Sequence, residues 1–252
     1  MKHLKLLLAG MALLAAACSK DAAFSDATGK SGSITRFAVH QNYMYALNQN
    51  EVLTYSLQDA DNPVLVHRLP TDYGLETIII YDNTVYLGSI SSLYILDISN
   101  PAAPSLLSKT DRQEIFIGGC DPVVVKDNYA YSTVKIIENI CGRISAQSAL
   151  IVYDVSDKTF PIAKGTYQLN IPNGLGYKDN YLFVCDEGDD RLEVFDISNP
   201  LSLTQPGYSV AVTDPYDLIV DGDKMIVSTK TDFQIFDISD IAAIRSIGQI
   251  AK

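Results

Sequence analysis

The sequence predicts an all-β fold: a five-bladed β-propeller, four antiparallel strands per blade, over residues 33–252. Three observations predict it. One segment pattern recurs five times along the chain. Each copy places a turn-forming pair between two apolar runs. The copies are about forty residues apart, the length of four short strands and their turns.

The first run of each copy ends at Gln41-Asn42, Asp82-Asn83, Asp127-Asn128, Asp179-Asn180 or Gly222-Asp223. Asn, Asp and Gly tolerate the left-handed backbone that a two-residue hairpin needs. An alternating second strand follows: Tyr43-Met44-Tyr45, Thr84-Val85-Tyr86, Tyr129-Ala130-Tyr131, Tyr181-Leu182-Phe183 and Lys224-Met225-Ile226. Aromatic residues at every second place fit a pleated strand and predict packing between blades. A third strand closes on an Asp-x-Ser turn in LYILDIS (93–99), LIVYDVS (150–156), LEVFDIS (192–198) and FQIFDIS (233–239). VLTYSL (52–57) is a degenerate first copy, with Ser56 in place of the aspartate. The Asp oxygen caps backbone N–H groups two residues on, so the repetition reads as a structural device. Pairs such as Asn62-Pro63, Asn100-Pro101 and Asn199-Pro200 then start a fourth strand, because proline forces its predecessor extended. Positions 56, 97, 154, 196 and 237 are spaced by 41, 57, 42 and 41 residues. Seven blades would need a longer chain, and a β-sandwich would not explain the period.

These segments resemble the LVIVD repeat family, whose repeat is a Leu-Val-Ile-Val-Asp strand, a Ser and a Pro-containing turn. Leu93 to Pro104 (LYILDISNPAAP) is the best match. The resemblance implies a propeller in a prokaryotic surface or secreted protein and says little about biochemical role.

The N-terminus reads as a secretory leader. Lys2 and Lys5 precede an apolar run, Leu6 to Ala17, that ends at Cys18. The run is too short to span a bilayer as a mature helix. Ala15-Ala16-Ala17-Cys18 resembles the lipobox of bacterial lipoproteins, with Leu14 four residues before the cysteine instead of three. The resemblance implies cleavage after residue 17 and a lipid on Cys18. Ser19 in place of Asp implies the outer membrane, and Ser19-Lys20-Asp21 resembles the export tags of surface lipoproteins. Residues 18–32 read as a flexible tether. The expected location is the cell envelope, lipid-anchored at the outer membrane, with exposure at the cell surface the further expectation. Loss of Lys2 and Lys5 with the leader takes the net charge from −11 to −13. So acidic a domain repels nucleic acid and anionic lipid, leaving cations, neutral sugars or basic protein patches as partners.

Length variation falls on one face. In a propeller the 1–2 and 3–4 turns share one face, and the 2–3 and 4–1 loops share the other. The first set is uniform. Blade 3 carries twelve extra residues within Ser132 to Ser148, blade 4 two within Asp186 to Arg191, and the blade 2–3 connection four within Lys109 to Gly119. Function concentrates on variable loops held by a rigid frame. The 2–3/4–1 face is therefore the expected working face.

The densest charge cluster is Asp186-Glu187-Gly188-Asp189-Asp190. Asp121, Asp214 and Asp217, with Tyr216, are expected on the same face. Such oxygens suit Ca²⁺, although the spacing is not that of an EF-hand and solvated loop acids give the same pattern. No metal site or other cofactor is assigned. Tyr73, Phe116 and Phe233 are expected to reach that face too. Cys120 and Cys141 fall together in blade 3, and an oxidising envelope permits a disulfide between them. Cys185 reads as a small buried residue.

No nucleophile elbow, P-loop or HExxH is present, and the mature histidines are His40 and His67 only. The leading expectation is a non-catalytic interaction module that binds an envelope or surface protein. A glycan or Ca²⁺-dependent ligand is the second expectation, and a glycosidase using Asp121, Asp214 or Asp217 the third. Absence of Trp disfavours a glycan lectin. The repeats run from strand 1 to strand 4, with no strand exchange to latch blade 5 to blade 1.

Overall fold

A computed structural model describes residues 33–111, 122–136 and 148–252. It contains five four-stranded antiparallel sheets, each built from consecutive strands. Blade 1 is β1 (Phe37–His40), β2 (Tyr43–Asn48), β3 (Glu51–Ser56) and β4 (Val64–Pro70). Blade 2 is β5 (Leu75–Tyr81), β6 (Thr84–Ser89), β7 (Ser92–Asp97) and β8 (Ser105–Asp111). Blade 3 is β9 (Val123–Lys126), β10 (Tyr129–Val134), β11 (Ala149–Asp154) and β12 (Ile162–Gln168). Blade 4 is β13 (Pro172–Lys178), β14 (Tyr181–Asp186), β15 (Arg191–Asp196) and β16 (Val210–Ala211). Blade 5 is β17 (Pro215–Asp221), β18 (Lys224–Thr229), β19 (Asp232–Asp237) and β20 (Arg245–Ala251). The chain is an all-β, five-bladed propeller.

Local chemistry sets the turns. The first residue of every 1–2 hairpin has positive φ: Gln41 at 53°, Asp82 at 52°, Asp127 at 54°, Asp179 at 52° and Gly222 at 58°. The Asp-x-Ser turns work as caps. Oδ1 of Asp97, Asp154, Asp196 and Asp237 accepts both the backbone N–H and the hydroxyl of the serine two residues on, at 2.6–3.1 Å. Those donors favour the charged carboxylate and hold all four pKa values low, that of Asp237 at about 2. In blade 1 the hydroxyl of Ser56 accepts only a 3.5 Å bond from Gln58 N–H. Blade 4 departs from the repeat at its outer strand. There Pro206 lacks an amide donor, Gly207 has φ +84°, and regular pairing shrinks to Val210–Ala211 plus the bridge Asp196–Thr204.

The core lies between the blades. The third residue of strand 2 is fully buried in four of them: Tyr45, Tyr86, Tyr131 and Phe183 are 0–1% exposed. Tyr45 packs with Ile78, Val85 and Leu96 of blade 2, and its hydroxyl donates to Pro101 O at 2.9 Å. Tyr86 packs with Val123 and Val125 of blade 3, Tyr131 with Leu175 and Leu182 of blade 4, and Phe183 with Leu218 and Met225 of blade 5. Each such side chain contributes roughly 1.5–3 kcal/mol on burial. These are four clusters for five blades; among the described residues no fifth cluster joins blade 5 to blade 1.

A strap across the axis ties the ring instead of a shared strand. Ser33 Oγ donates to Asp217 Oδ1 of blade 5 at 3.0 Å and accepts Leu175 N–H of blade 4 at 2.7 Å. Ile34 N–H donates to Asp217 Oδ2 at 3.3 Å. Thr35 O accepts Ile78 N–H of blade 2 at 3.0 Å, and Thr35 Oγ1 donates back to Ile78 O at 3.1 Å. Close approach of β13 to β17 makes this possible: a Cβ on Gly174 would lie 2.0 Å from Asp217 Oδ1. Burial raises the Asp217 pKa, only partly offset by its N–H and hydroxyl donors.

Three outcomes are expected. Asp154→Ala removes a two-bond cap and lowers stability by about 1 kcal/mol in denaturant titration. Asp217→Ala leaves the Ser33 hydroxyl and Ile34 amide without their acceptor and costs roughly 1–3 kcal/mol. The raised Asp217 pKa means that the folded state binds its proton more tightly than the unfolded chain. Stability from this group is therefore present at acid pH and lost as pH rises through the folded pKa. Thermal melts across pH should show Asp217→Asn gaining on the wild type towards neutrality; a difference that does not change with pH would contradict this.

Candidate functional site

The two faces differ as the loop lengths imply. The 1–2/3–4 face carries the repeated turns. On the other face the described 2–3 loops of blades 1, 2 and 5 are two-residue connections, Gln49-Asn50, Ile90-Ser91 and Lys230-Thr231. In blade 4 the same connection is a 3₁₀ turn, Glu187–Asp189, ended by Asp190 with φ 52°. Residues 137–147 of the blade 3 insert and 112–121 of the blade 2–3 connection lie outside the described residues. So do Cys18, Asp121, Cys120, Cys141 and Phe116.

A polar cleft of about 540 Å³ opens on this face between blades 3 and 4. Ile136, Ser148 and Gln168 line it from blade 3; Asp186, Asp189, Arg191 and Glu193 from blade 4; Asn170 and Gln205 from flanking connections. Ligand oxygens of Asp186, Asp189 and Glu193 lie within 4.8 Å of one another. Their contacts show what holds so much negative charge together. Asp186 is completely buried, and its oxygens accept Asn170 N–H at 2.9 Å and Ile171 N–H at 2.8 Å, fixing the start of β13. Asp189 accepts Asn170 Nδ2 at 3.0 Å and an Arg191 guanidinium nitrogen at 2.8 Å. Glu193 accepts Arg191 Nε and, at 2.9 Å, Gln205 Nε2. The Arg191 guanidinium thus provides the positive charge that a cation would supply to a three-carboxylate cage. One arginine against three carboxylates leaves the cleft negative and receptive to a further cationic or donor group.

The other expected residues are placed differently. Glu187 faces the axis, where its Oε2 accepts Lys135 Nζ at 3.0 Å and Asn173 Nδ2 at 2.9 Å. The Asn173 bond first, then Lys135, holds its pKa below the usual carboxylate range. Asp190 Oδ1 accepts Asp214 N–H at 2.9 Å, and both residues have left-handed backbone. The Asp190 carboxylate thus caps the loop that leads into β17. Asp217 is mostly withdrawn from solvent and holds Ser33 and Ile34, so it is part of the strap and not of the open face. Tyr216 and Tyr73 are exposed, whereas Phe233 lies on the side of blade 5, lining a separate cleft with Ile34 and Ile226. Cys185 is a buried free thiol whose pKa burial pushes up, a packing residue.

Sequence reading missed Glu193, Arg191, Asn170 and Gln205. One signal was available: Glu193 stands where the other copies have Leu53, Tyr94, Ile151 and Gln234, so it is the only acid at that repeat position. Asn170 and Gln205 stand in irregular connections, where no repeat position predicts orientation.

Comparison with known proteins supports the repeat. A model of the LVIVD repeat matches residues 76–111, 144–169 and 175–208. No curated protein matches the chain. Among solved structures, a functionally unknown protein from Desulfotomaculum acetoxidans is similar at 13% identity and TM-score 0.66, over 83% of this chain and 66% of its own. A chain of a nidogen/laminin complex is similar at 16% identity and TM-score 0.57, over 83% of this chain and 75% of its own. A putative 6-phosphogluconolactonase from Bacteroides fragilis is similar at 12% identity and TM-score 0.64, over 85% of this chain and 69% of its own. The chain spans about two thirds of the length of the first of these, and at such identities the likeness is one of fold. With five sheets at the repeat spacing and the repeat model matching in blades 2, 3 and 4, the chain carries LVIVD repeats and folds as a five-bladed β-propeller.

Proposed function

We propose that this propeller is a non-catalytic interaction module of the cell envelope, held to a membrane by lipid on Cys18, which binds a protein partner through its 2–3/4–1 face. The observation that carries the reading is the cleft between blades 3 and 4, where Asp186, Asp189 and Glu193 surround a single arginine. An exposed, polar, net-negative cleft suits a lysine or arginine of a partner better than an apolar small molecule. The blade 3 insert, twelve residues longer than its counterparts, begins and ends beside Ile136 and Ser148 at the rim of this cleft. The glycosidase alternative loses Asp217, whose oxygens are bonded to Ser33 and Ile34 within the strap. Anchoring is proposed from the leader alone. Among the described residues no helix is long and apolar enough to cross a membrane.

The test is cross-linking and pull-down of the full lipoprotein from native envelopes, beside a variant carrying Asp189→Lys and Gln205→Lys. Both residues are exposed, and the substitutions reverse the charge of the cleft without touching the strap or the buried clusters; a thermal melt of the variant checks that the fold is kept. A stoichiometric protein captured by the wild type should be lost with the variant. Capture should weaken as salt rises from roughly 0.05 to 0.5 M, the range over which exposed charge pairs are screened. Retention of the same protein by the variant would overturn the assignment of the face. Loss of binding on chelation would move the reading to a Ca²⁺-dependent ligand.

A further inference from the structure

Blade 5 differs from the others on one side. In β18 and β19 the residues facing away from blade 4 include Ile226, Phe233 and Ile235. The repeat equivalents of Ile226 are Tyr45, Tyr86, Tyr131 and Phe183, none more than 1% exposed, whereas Ile226 is 38% exposed. Those of Phe233 are Val52, Leu93, Leu150 and Leu192, all completely buried, whereas Phe233 is 38% exposed and its cross-strand neighbour Ile250 is 58% exposed. Blade 1 does not cover this side: its own outward-facing Phe37 and Val39 are 58% and 41% exposed. A cleft of about 300 Å³, floored by Ile34 and Thr35, opens beside Ile226 and Phe233. In the other four blades the same side is the one that a neighbouring sheet covers.

A row of charges bordering the apolar patch indicates which sheet. Cross-strand pairing aligns Asp221 with Lys224, Lys224 with Asp237 and Asp237 with Arg245. The row therefore reads acid, base, acid, base across four strands. A half-turn about an axis parallel to the strands reverses that order. Asp221 then faces Arg245 of a second copy, Lys224 faces Asp237, and one row further in Ile226 faces Ile235. Every charge meets its opposite and the apolar row meets itself. A surface that is its own complement under a half-turn is what a closed two-fold dimer requires.

We propose that the outer side of blade 5 is a dimer interface, covered by blade 5 of a second copy of this chain. The arrangement gives each fifth blade the sheet neighbour that its repeat equivalents have, and leaves the 2–3/4–1 face of both copies open.

Sedimentation equilibrium of the full chain, in density-matched detergent, tests it. The wild type should be a dimer at about 10 µM, the range of standard two-fold interfaces. Ile226→Glu should weaken the dimer at least about a hundredfold, since the two-fold axis places two carboxylates in the interface. Ile250→Glu, at a more exposed site, is a second variant should the first disturb folding. Arg245→Glu alone should weaken it roughly tenfold, and Asp221→Lys added to Arg245→Glu should restore it, because the swapped row is again self-complementary. A wild type that stays monomeric at about 100 µM, or a dimer unmoved by both glutamates, overturns the interface. A charge swap that fails to restore association overturns the two-fold register.

Discussion

Every blade presents an apolar row that only another sheet can cover, and the architecture follows from how that row is met. In blades 1–4 strand 2 supplies an aromatic at its third position and strand 3 an aliphatic at its second, and the cross-strand register puts both on one side of the sheet. The opposite side carries smaller residues such as Val85, Ala130, Leu182 and Met225, all completely buried. Large against small between successive blades fills space at the density of a protein interior. The same rule makes the two ends of the array special, because a linear run of five repeats has one uncovered row at each end.

The strap meets part of that problem at the axis. Ser33, Ile34 and Thr35 hydrogen-bond to blades 5, 4 and 2 with side-chain and backbone groups together. Its anchor is a carboxylate that burial destabilises, and the arrangement stands because several donors converge on it. The acidic cluster of blade 4 follows a related logic at the surface. Asp186, Asp189 and Glu193 coexist because two backbone amides, Asn170, Arg191 and Gln205 share out their oxygens. Much of the chain's excess of acid is structural. Asp97, Asp154, Asp196 and Asp237 each close a turn, and their low pKa values keep them charged while doing so.

The fold was largely legible in the sequence because its determinants are local and repeated. Hairpin pairs, alternating strands and Asp-x-Ser turns each need only a few adjacent residues, and five copies let one correct the others. The face carrying length variation was legible for the same reason. What sequence could not reveal was contact between distant segments. Ser33 and Asp217 are 184 residues apart, and nothing near either signals the bond. Asp217 thus read as a candidate ligand when its oxygens serve the strap. The run Asp186 to Asp190 read as one cluster, but the twist of the 3₁₀ turn sends Glu187 towards the axis and Asp189 into the cleft. Phe233 read as a face residue because strand alternation fixes which side of a sheet a residue takes, but not whether a neighbouring blade is there.

The central claim is that packing between successive blades and the strap together hold one cooperative unit. Hydrogen exchange of the native protein, resolved to single amides, tests it most directly. The account predicts that the Ile34, Ile78 and Leu175 amides, bonded across the axis to three different partners, exchange at the slow common rate of the buried strands β6 and β14. Fast exchange at Ile34 and Leu175 beside a protected β14 would contradict it, showing that the blades stand without the strap.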